Sequence, residues 1–445
     1  MSSGDETSRP VPHVAYERWL DALARAGWPV PPGLSGDGSW TGRTDLVPVG
    51  EALGRVTTAP VTARWPSPRT SCAAMDGIAV RAADLPAARG ARDGTDVGAA
   101  RLPTEMFTWI DTGDPMPPDT DTVVIRERLL PQADGSVIVV APANGGSGGQ
   151  RTGHGERGHN VRAAGEDFAA GEILLPAGRR LRPGDLSAAA AGGHVTVTVA
   201  RRPVVAIIPT GDEIRPVGAV PRWGDIIDTN SLMLAARCRQ LGAEPLVSAV
   251  VPDDPDALAG EVRRSAAQAD LVLVIAGSSR GRDDHASAVL AQVGGVAVAG
   301  VAVRPGHPAL LGYAKQPTAA HGRAADRAGI VPVIGLPGYP LATAVVFELF
   351  AVPLLAAVTG QAPVRNRVPA RLDRDWTSYP GLENWVLVTL AGDAGDGIPV
   401  ATPARRGAGA ISLLARADAW WPIPADQVTF EAGAEIGVFP IPGAG

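Results

Sequence analysis

From Val204 onward the chain is paced by five apolar runs: Val204–Ile208, Leu246–Val251, Leu271–Ile275, Val296–Val303 and Val331–Ile334. Each is short and rich in β-branched residues. None shows the alternation of a half-exposed strand, so each predicts a strand covered on both faces. Helical patterns fill the first intervals, over Leu232–Leu241 and Pro255–Ala269. Asp254 is placed to cap the second helix, Pro255 suits its first position, and Gly242 stops the first helix. This alternation leaves few options beyond a parallel sheet with helices on both faces. Ligands of such sheets sit outside the carboxyl ends of the strands, so functional residues are expected in the loops that follow strands.

The loop after the third run carries the strongest signal. DLVLVIAGSSRGRDDH, Asp270 to His285, reads as a buried strand, a small-residue loop and a helix start. Gly277, Ser278, Ser279 and Gly281 let a ligand approach the backbone, and a helix N-terminus attracts anions. Asp283 and Asp284 oppose a bare phosphate cradle. A divalent cation between carboxylate and phosphate resolves the conflict, because Mg²⁺ bridges one or two carboxylates and substrate phosphates. The plain alternative is a tight turn with Asp284 as helix cap.

Other acidic residues fall at comparable places: Asp212 and Glu213 after the first run, Asp253 and Asp254 after the second, Asp225 and Asp228 in GDIIDTNS. Carboxylates at the ends of neighbouring strands raise one another's pKa unless a cation joins them. Asp254 and Ser231 read as caps rather than ligands. Arg304 and His307 flank a Pro-Gly turn and suit a phosphate or oxyanion. Pro337 and Pro340 stiffen the GLPGYP turn ahead of a helix over Leu341–Val358.

The rest of the chain bounds the reading. At 445 residues it exceeds one core, so several domains are expected. A formal charge of −6 gives no broad attraction to nucleic acid or anionic membranes. No stretch reads as a membrane span of about 20 apolar residues, and MSSGDETSRP lacks a secretion signature. Cys72 and Cys238 form neither a disulfide framework nor a metal spacing, which points to a reducing, cytoplasmic setting. Helices are expected over Val14–Ala26, Leu46–Val61 and Leu186–Ala191, and residues 142–159 read as a glycine-rich loop. After Gly360, short strands around Ala370, Trp385–Leu390, Pro399–Thr402 and Ile436–Phe439 predict a small all-β domain.

Taken in order, AAMDGIAVRAAD, DTGDPMPPDTDTVV, NVRAAGEDFAAGEILLPAG, PTGDEI, GDIIDTNS, VVPDD, the glycine loop ending in Asp284, RPGHP and LPGYP resemble the MoeA/gephyrin E-domain family of molybdopterin molybdenumtransferases. The resemblance covers about Val47 to Ile441. It implies an α/β multidomain fold: an elongated linking domain in two pieces (13–61 and 158–200), an inserted mostly-β domain (62–157), an α/β molybdopterin-binding domain (201–362) and a C-terminal β-barrel (363–445). It also implies a homodimer that inserts molybdate into adenylylated molybdopterin, with Mg²⁺ required and AMP released. Carried over by position, Asp253 and Asp284 hold the cation with Glu213 beside them. Asp76 and Thr112 act as catalytic residues, supplied by the partner subunit. Arg304 and His307 stand where the family has two molybdate-contacting lysines, and Pro337 and Pro340 shape the pterin pocket. Several positions depart from the family. AGSSRG replaces Gly-Gly-Val-Ser-Val-Gly, and Tyr339 replaces an asparagine. Leu382 and Ala408 replace an arginine and a serine that contact molybdate. Arg304 keeps its lysine's charge, consistent with a chain whose only lysine is Lys315, whereas His307 does not hold a full charge at neutral pH. These departures suit a divergent branch. They leave two other readings: a non-catalytic molybdopterin-binding paralogue, and a related pterin-nucleotide phosphohydrolase.

Overall fold

The computed structural model describes residues 9–28, 42–85, 100–140, 156–276, 282–316, 329–360, 366–392, 397–404, 407 and 411–443, with 100, 276 and 282–285 by their backbone alone. Two compact units emerge, Met1–Asp45 with Ala200–Gly445, and Leu46–Val199.

The first unit opens with helix α1 (Pro12–Arg25), which Gly27 ends at φ +92°. Expected as the start of the linking piece, α1 instead packs on the α/β sheet. The reason is one face of apolar residues: Ala15, Trp19 and Leu23 are fully buried among sheet residues, and the Trp19 indole donates to Gly312 O at 2.7 Å. The sheet is built from β1 (Val204–Pro209), β2 (Glu244–Val247), β3 (Leu271–Ala276), β4 (Gly294–Ala299), β5 (Leu310–Lys315) and β6 (Ile330–Pro337). Their order is β2-β1-β3-β6-β5-β4. β2, β1, β3 and β6 are parallel. β5 runs against both β6 and β4, so β4 points the same way as the parallel set.

Helices α2 (Asn230–Gln240), α3 (Pro255–Ala266) and α4 (Arg282–Val293) connect the strands. Alternate residues of β1 feed opposite layers. Val205 and Ile207 join Trp19 and Leu234 on one side; Val204, Ala206 and Ile208 join Leu258, Val262 and Val289 on the other. The continuous apolar runs of the sequence are thus explained by burial on both faces. A sixth strand, β5, is an addition to the sequence reading. Its apolar residues follow closely on the RPGHP turn, and the sequence reading assigned them no element.

Helix α5 (Pro340–Val358) follows β6 and contains a π-helical turn at Phe347–Ala351. By length and composition it could cross a membrane, contrary to the sequence reading. In the fold 72% of its most apolar stretch is buried, and Glu348 pairs with Arg237 at 2.7 Å, which makes it a core helix. The chain then forms β7 (Val368–Leu372), β8 (Glu383–Ala391), β9 (Val400–Pro403), β10 (Ala419–Ile423) and β11 (Glu435–Pro440). These close into a barrel, because β8 pairs with both β9 and β10. The fold class is therefore as expected: an α/β sheet domain and a closed five-stranded C-terminal barrel among several domains.

The second unit holds separate cores. Val49, Ala52, Val61, Leu175, Leu181, Ala189, Val197 and Val199 form one. Ile78, Val80, Leu102, Val124, Leu129, Val137 and Val139 form another. The helix expected over Leu46–Val61 is absent; the segment makes a strand at Thr44–Pro48, a 3₁₀ turn at Val49–Glu51 and a strand at Val61–Thr62. Pro48 and Gly50 interrupt any helix there, and Gly54 sits at φ +71°. The helix Pro183–Ala191 forms as expected.

Candidate functional site

The strand registers bring the sequence motifs to one rim. Pro209 of β1 is level with Ile275 of β3, and Ala276 of β3 with Pro337 of β6. Leu310, the first residue of β5, faces Gly335 and Ala299. The segments 210–215, 248–254, 300–309 and 338–340 therefore all emerge at the carboxyl edge of the parallel strands.

At that edge Thr210 is held by Ile275 O, through its N–H at 3.1 Å and its hydroxyl at 2.9 Å. Gly211 N–H donates to Val251 O at 3.0 Å. Gly211 has φ +136°, and a Cβ there would lie 2.8 Å from Ile214 Cγ1 and 3.0 Å from Glu213 Oε2. Only glycine fits, and the Glu213 carboxylate lies against it. Asp212 and Asp253 bind each other reciprocally: Asp212 N–H donates to Asp253 Oδ2 at 3.4 Å, and Asp253 N–H to Asp212 Oδ1 at 3.3 Å. The turn after β1 and the turn after β2 are thereby locked together with both carboxylates at the contact. Asp284 lies on the first turn of α4, after β3. Its side chain, together with Gly277, Ser278, Ser279, Gly281 and Ala408, lies outside the described residues.

Asp254, Asp225 and Asp228 have structural roles. Asp254 caps α3, accepting from Ala257 N–H at 2.7 Å. Asp225 pairs with Arg215 at 2.9 Å and accepts from Arg222 N–H. Asp228, not Ser231, serves the start of α2, accepting from Ser231 N–H at 3.0 Å. The Ser231 hydroxyl is buried without a partner, which corrects its reading as a cap. Among the described residues no three or more His, Cys, Asp or Glu side chains gather closely enough to hold a metal ion alone. The donor set fits a cation that takes a minority of its ligands from carboxylates and the rest from substrate phosphate and water, which is how Mg²⁺ is commonly bound.

On the other side of the rim, Val303–Arg304 leaves the α/β domain and pairs in parallel with Glu383–Asn384 of β8. The Arg304 guanidinium stacks on the Tyr379 ring, 3.7 Å from its centroid. His307 is exposed on the same turn, and Gly306 takes φ +123°. Pro337 is buried at the end of β6 and Pro340 occupies the first turn of α5. Asn230 Nδ2 holds Gly338 O between them at 2.7 Å, and the outward side chain of that turn is Tyr339, 51% exposed.

In the second unit Asp76 precedes Gly77 of the strand Gly77–Val80. A Cβ at Gly77 would fall 1.9 Å from Val124 O, so this position tolerates no side chain. Asp76 Oδ1 accepts from both the Thr112 hydroxyl and the Thr112 N–H, each at 2.7 Å. The Thr112 hydroxyl, then its amide, then the charge of Arg126 hold the Asp76 carboxyl below the usual carboxylate range. The Asp76–Thr112 pair read from the sequence is thus a direct contact.

Three family models match successive parts of the chain: the MoeA N-terminal region (domain I and II) over residues 15–193, the probable molybdopterin binding domain over 206–357, and the MoeA C-terminal region (domain IV) over 369–441. The molybdopterin molybdenumtransferase of Nostoc sp. is 31% identical over 72% of this chain and 70% of its own length. Molybdopterin molybdenumtransferase 2 of Mycobacterium tuberculosis is 30% identical over 89% of this chain and 95% of its own length. The chain belongs to the MoeA family. The crystal structure of the molybdopterin biosynthesis MoeA protein from Pyrococcus horikosii superimposes with a TM-score of 0.73 at 26% identity, covering 97% of this chain and 99% of that one. Membership places the chain in molybdenum cofactor biosynthesis and in the transferase class.

The sequence named Asp212 only as one of several acidic residues at strand ends; its exchange of bonds with Asp253 sets it apart. Tyr379, absent from the sequence reading, lies in a barrel loop that spacing alone does not connect to Arg304, 75 residues upstream.

Proposed function

We propose that this protein inserts molybdenum from molybdate into adenylylated molybdopterin in a Mg²⁺-dependent reaction that releases AMP. The observation carrying this reading is the pairing at one rim of a carboxylate cluster, from the Asp212 and Asp253 turns, with the cationic turn of Arg304 and His307. A pterin nucleotide is polyanionic and molybdate is an anion, so a site that joins them needs both kinds of group held in place beforehand.

In this reading Asp253 and Asp284 hold Mg²⁺, with Asp212 and Glu213 beside them, and the bound cation supplies charge neutralisation at the phosphates. Arg304 and His307 draw the oxyanion toward the rim. Pro337 and Pro340 fix the turn against which the pterin rests, and the 277–281 loop lies at the nucleotide. Asp76, kept ionised by Thr112, serves as a catalytic carboxylate. The active species is a homodimer.

The test is incubation with adenylylated molybdopterin, Mg²⁺ and graded molybdate. AMP release that rises with molybdate is the expected result. Asp284→Ala abolishes that release while the circular dichroism spectrum stays unchanged; unchanged turnover in this variant removes the metal assignment. Leu382, half-buried where the family has arginine, favours a second reading as a molybdopterin-binding paralogue. Tight nucleotide binding without turnover selects that reading, and AMP release indifferent to molybdate selects a pterin-nucleotide phosphohydrolase.

A further inference from the structure

The unit Leu46–Val199 holds two lobes, one around the core of Val61, Leu181 and Val199, the other around the core of Ile78 and Val80 that carries Asp76 and Thr112. The chain crosses to the second lobe through residues 63–71 and returns through 163–172, and the crossing is a two-stranded ribbon. Val61–Thr62 pairs with Ile173–Leu175 at its near end, and Cys72–Ala73 with Val161–Arg162 at its far end. Between them Ser67 N–H donates to Phe168 O at 3.0 Å, and Gly165 N–H to Pro68 O at 3.0 Å. Two strands alone have little stiffness, so the ribbon by itself does not set the angle between the lobes. Among the described residues, the hydrogen bonds of the return pass go to the outward pass or stay within the return pass.

The outward pass has an anchor of its own, the end of helix Pro183–Ala191 in the first lobe. The last carbonyls of a helix lack intrahelical donors. Here the ribbon supplies them: Arg64 N–H donates to Gly192 O at 2.8 Å, and the Trp65 indole N–H to Ala191 O at 2.8 Å. The His194 ring reaches back to Thr62 O, with Nε2 at 2.8 Å. Gly193, at φ +94°, brings its backbone against the Trp65 ring, and a Cβ there would lie 2.7 Å from the ring atom Cζ2. The Arg69 guanidinium sits over the same ring, 5.1 Å from its centroid. Trp65 is nonetheless 37% exposed and belongs to neither core. A tryptophan so placed adds little burial to either lobe. What its contacts fix is the direction in which the ribbon leaves the helix end.

We infer that Trp65 is a positioning residue: docked on the Ala191–Gly193 helix end, it holds the lobe that bears Asp76 at one angle to the rest of its unit. The catalytic part of this inference rests on the reading of Asp76 as a catalytic carboxylate, and the mechanical part stands without it. A catalytic group misplaced by about 1 Å costs up to about a hundredfold in rate. In the proposed reaction molybdate and the pterin nucleotide are held by residues of the other unit. Releasing the Trp65 dock therefore acts on kcat rather than on KM.

The test is a distance measurement by pulsed electron spin resonance on the full chain. Nitroxides attached at Leu53→Cys and Leu130→Cys, two exposed positions in the first and second lobes, report the angle between them. Cys72 and Cys238 are buried and stay unlabelled in the folded protein. The labelled chain is diluted into an excess of unlabelled chain, so that only distances within one chain are read. A narrow distribution is expected with Trp65 in place. Trp65→Ala broadens it, and Trp65→Phe, which keeps an aromatic ring against Gly193, leaves it narrow. In turnover Trp65→Ala lowers kcat about tenfold or more with the KM for molybdate unchanged, and Trp65→Phe recovers most of the loss. An unchanged distribution in Trp65→Ala overturns the inference. So does loss of the melting transition of the Leu46–Val199 unit in that variant, since the residue then serves the fold rather than the angle. A broadened distribution with unchanged kcat overturns the positioning role. If the wild type releases no AMP in response to molybdate, broadening in Trp65→Ala still supports the mechanical inference, and the proposed function alone falls.

Discussion

At the scale of single residues, the same side-chain type does different work according to its partners. Asp76 and Asp185 both sit below the ordinary carboxylate range, but Asp76 is exposed and Asp185 is 6% exposed. Asp185 closes the first turn of the helix Pro183–Ala191. It accepts from Arg179 Nη2 and from Arg182 N–H, both at 2.8 Å, and its pKa falls from 3.8 to about 2, chiefly through the Arg179 bond. Because the folded value lies below the unfolded one, the stabilisation is fully present above about pH 4 and is lost as pH falls from 3.8 toward 2. Asp185→Asn should therefore destabilise the Leu46–Val199 unit by about 1.5–3 kcal/mol at pH 7, the range for hydrogen bonds to charged groups. Urea titrations at pH 7 and pH 2.5 check this: the gap between variant and wild type should shrink at the lower pH. Cys238 shows the opposite environment. Fully buried on α2, its thiol is pushed up to about 12 by desolvation. It should resist iodoacetamide at pH 8 in the native protein and react once the chain is unfolded, as peptide mass spectrometry would record.

At the scale of elements, the VPDD turn separates two neighbouring aspartates by role. Asp254 caps α3, so Asp254→Ala should cost about 1 kcal/mol in denaturant stability and change molybdate-dependent AMP release little. Asp253 exchanges bonds with the Asp212 turn, so Asp253→Ala should remove that release with the smaller effect on stability. If both variants lose activity in proportion to stability, the rim contact is structural only. The sequence carried this distinction through local chemistry: Asp-Pro opening a helix is a cap signal, and the residue before it falls at a strand end. The buried strands were legible for the same reason, since runs such as Leu271–Ile275 admit one environment. The strand at Leu310–Lys315 was not, because its apolar residues follow directly on a Pro-Gly turn. Nor was the strand at Ala419–Ile423, AWWPI, part of the sequence reading. Spacing also misread Leu46–Val61, where Val49, Ala52, Val56 and Val61 keep a near-helical interval yet are buried from a strand, turns and a 3₁₀ segment. The Arg304–Tyr379 contact was illegible on other grounds: local patterns do not show which loop of a barrel a distant turn will meet.

At the scale of the whole molecule, two compact units with separate cores imply two cooperative transitions rather than one. The first unit spends its N-terminal helix on the α/β sheet. Trp19 is fully buried there, and its indole N–H reaches across 293 residues of sequence to Gly312 O. Removing a buried tryptophan side chain costs about 3–5 kcal/mol, with the unsatisfied Gly312 carbonyl adding to the loss. Trp19→Ala should therefore lower the melting transition of the unit containing β1–β6 and leave the other in place. Asp185→Asn should do the reverse. Calorimetric scans of wild type and both variants, each repeated with molybdate, decide between this picture and a single cooperative molecule. If molybdate binds the unit that carries Arg304, as the proposed function requires, it should raise the transition that Trp19→Ala lowers and not the one that Asp185→Asn lowers. If the two substitutions shift one common transition, the units fold as one body and the division drawn from their cores is wrong.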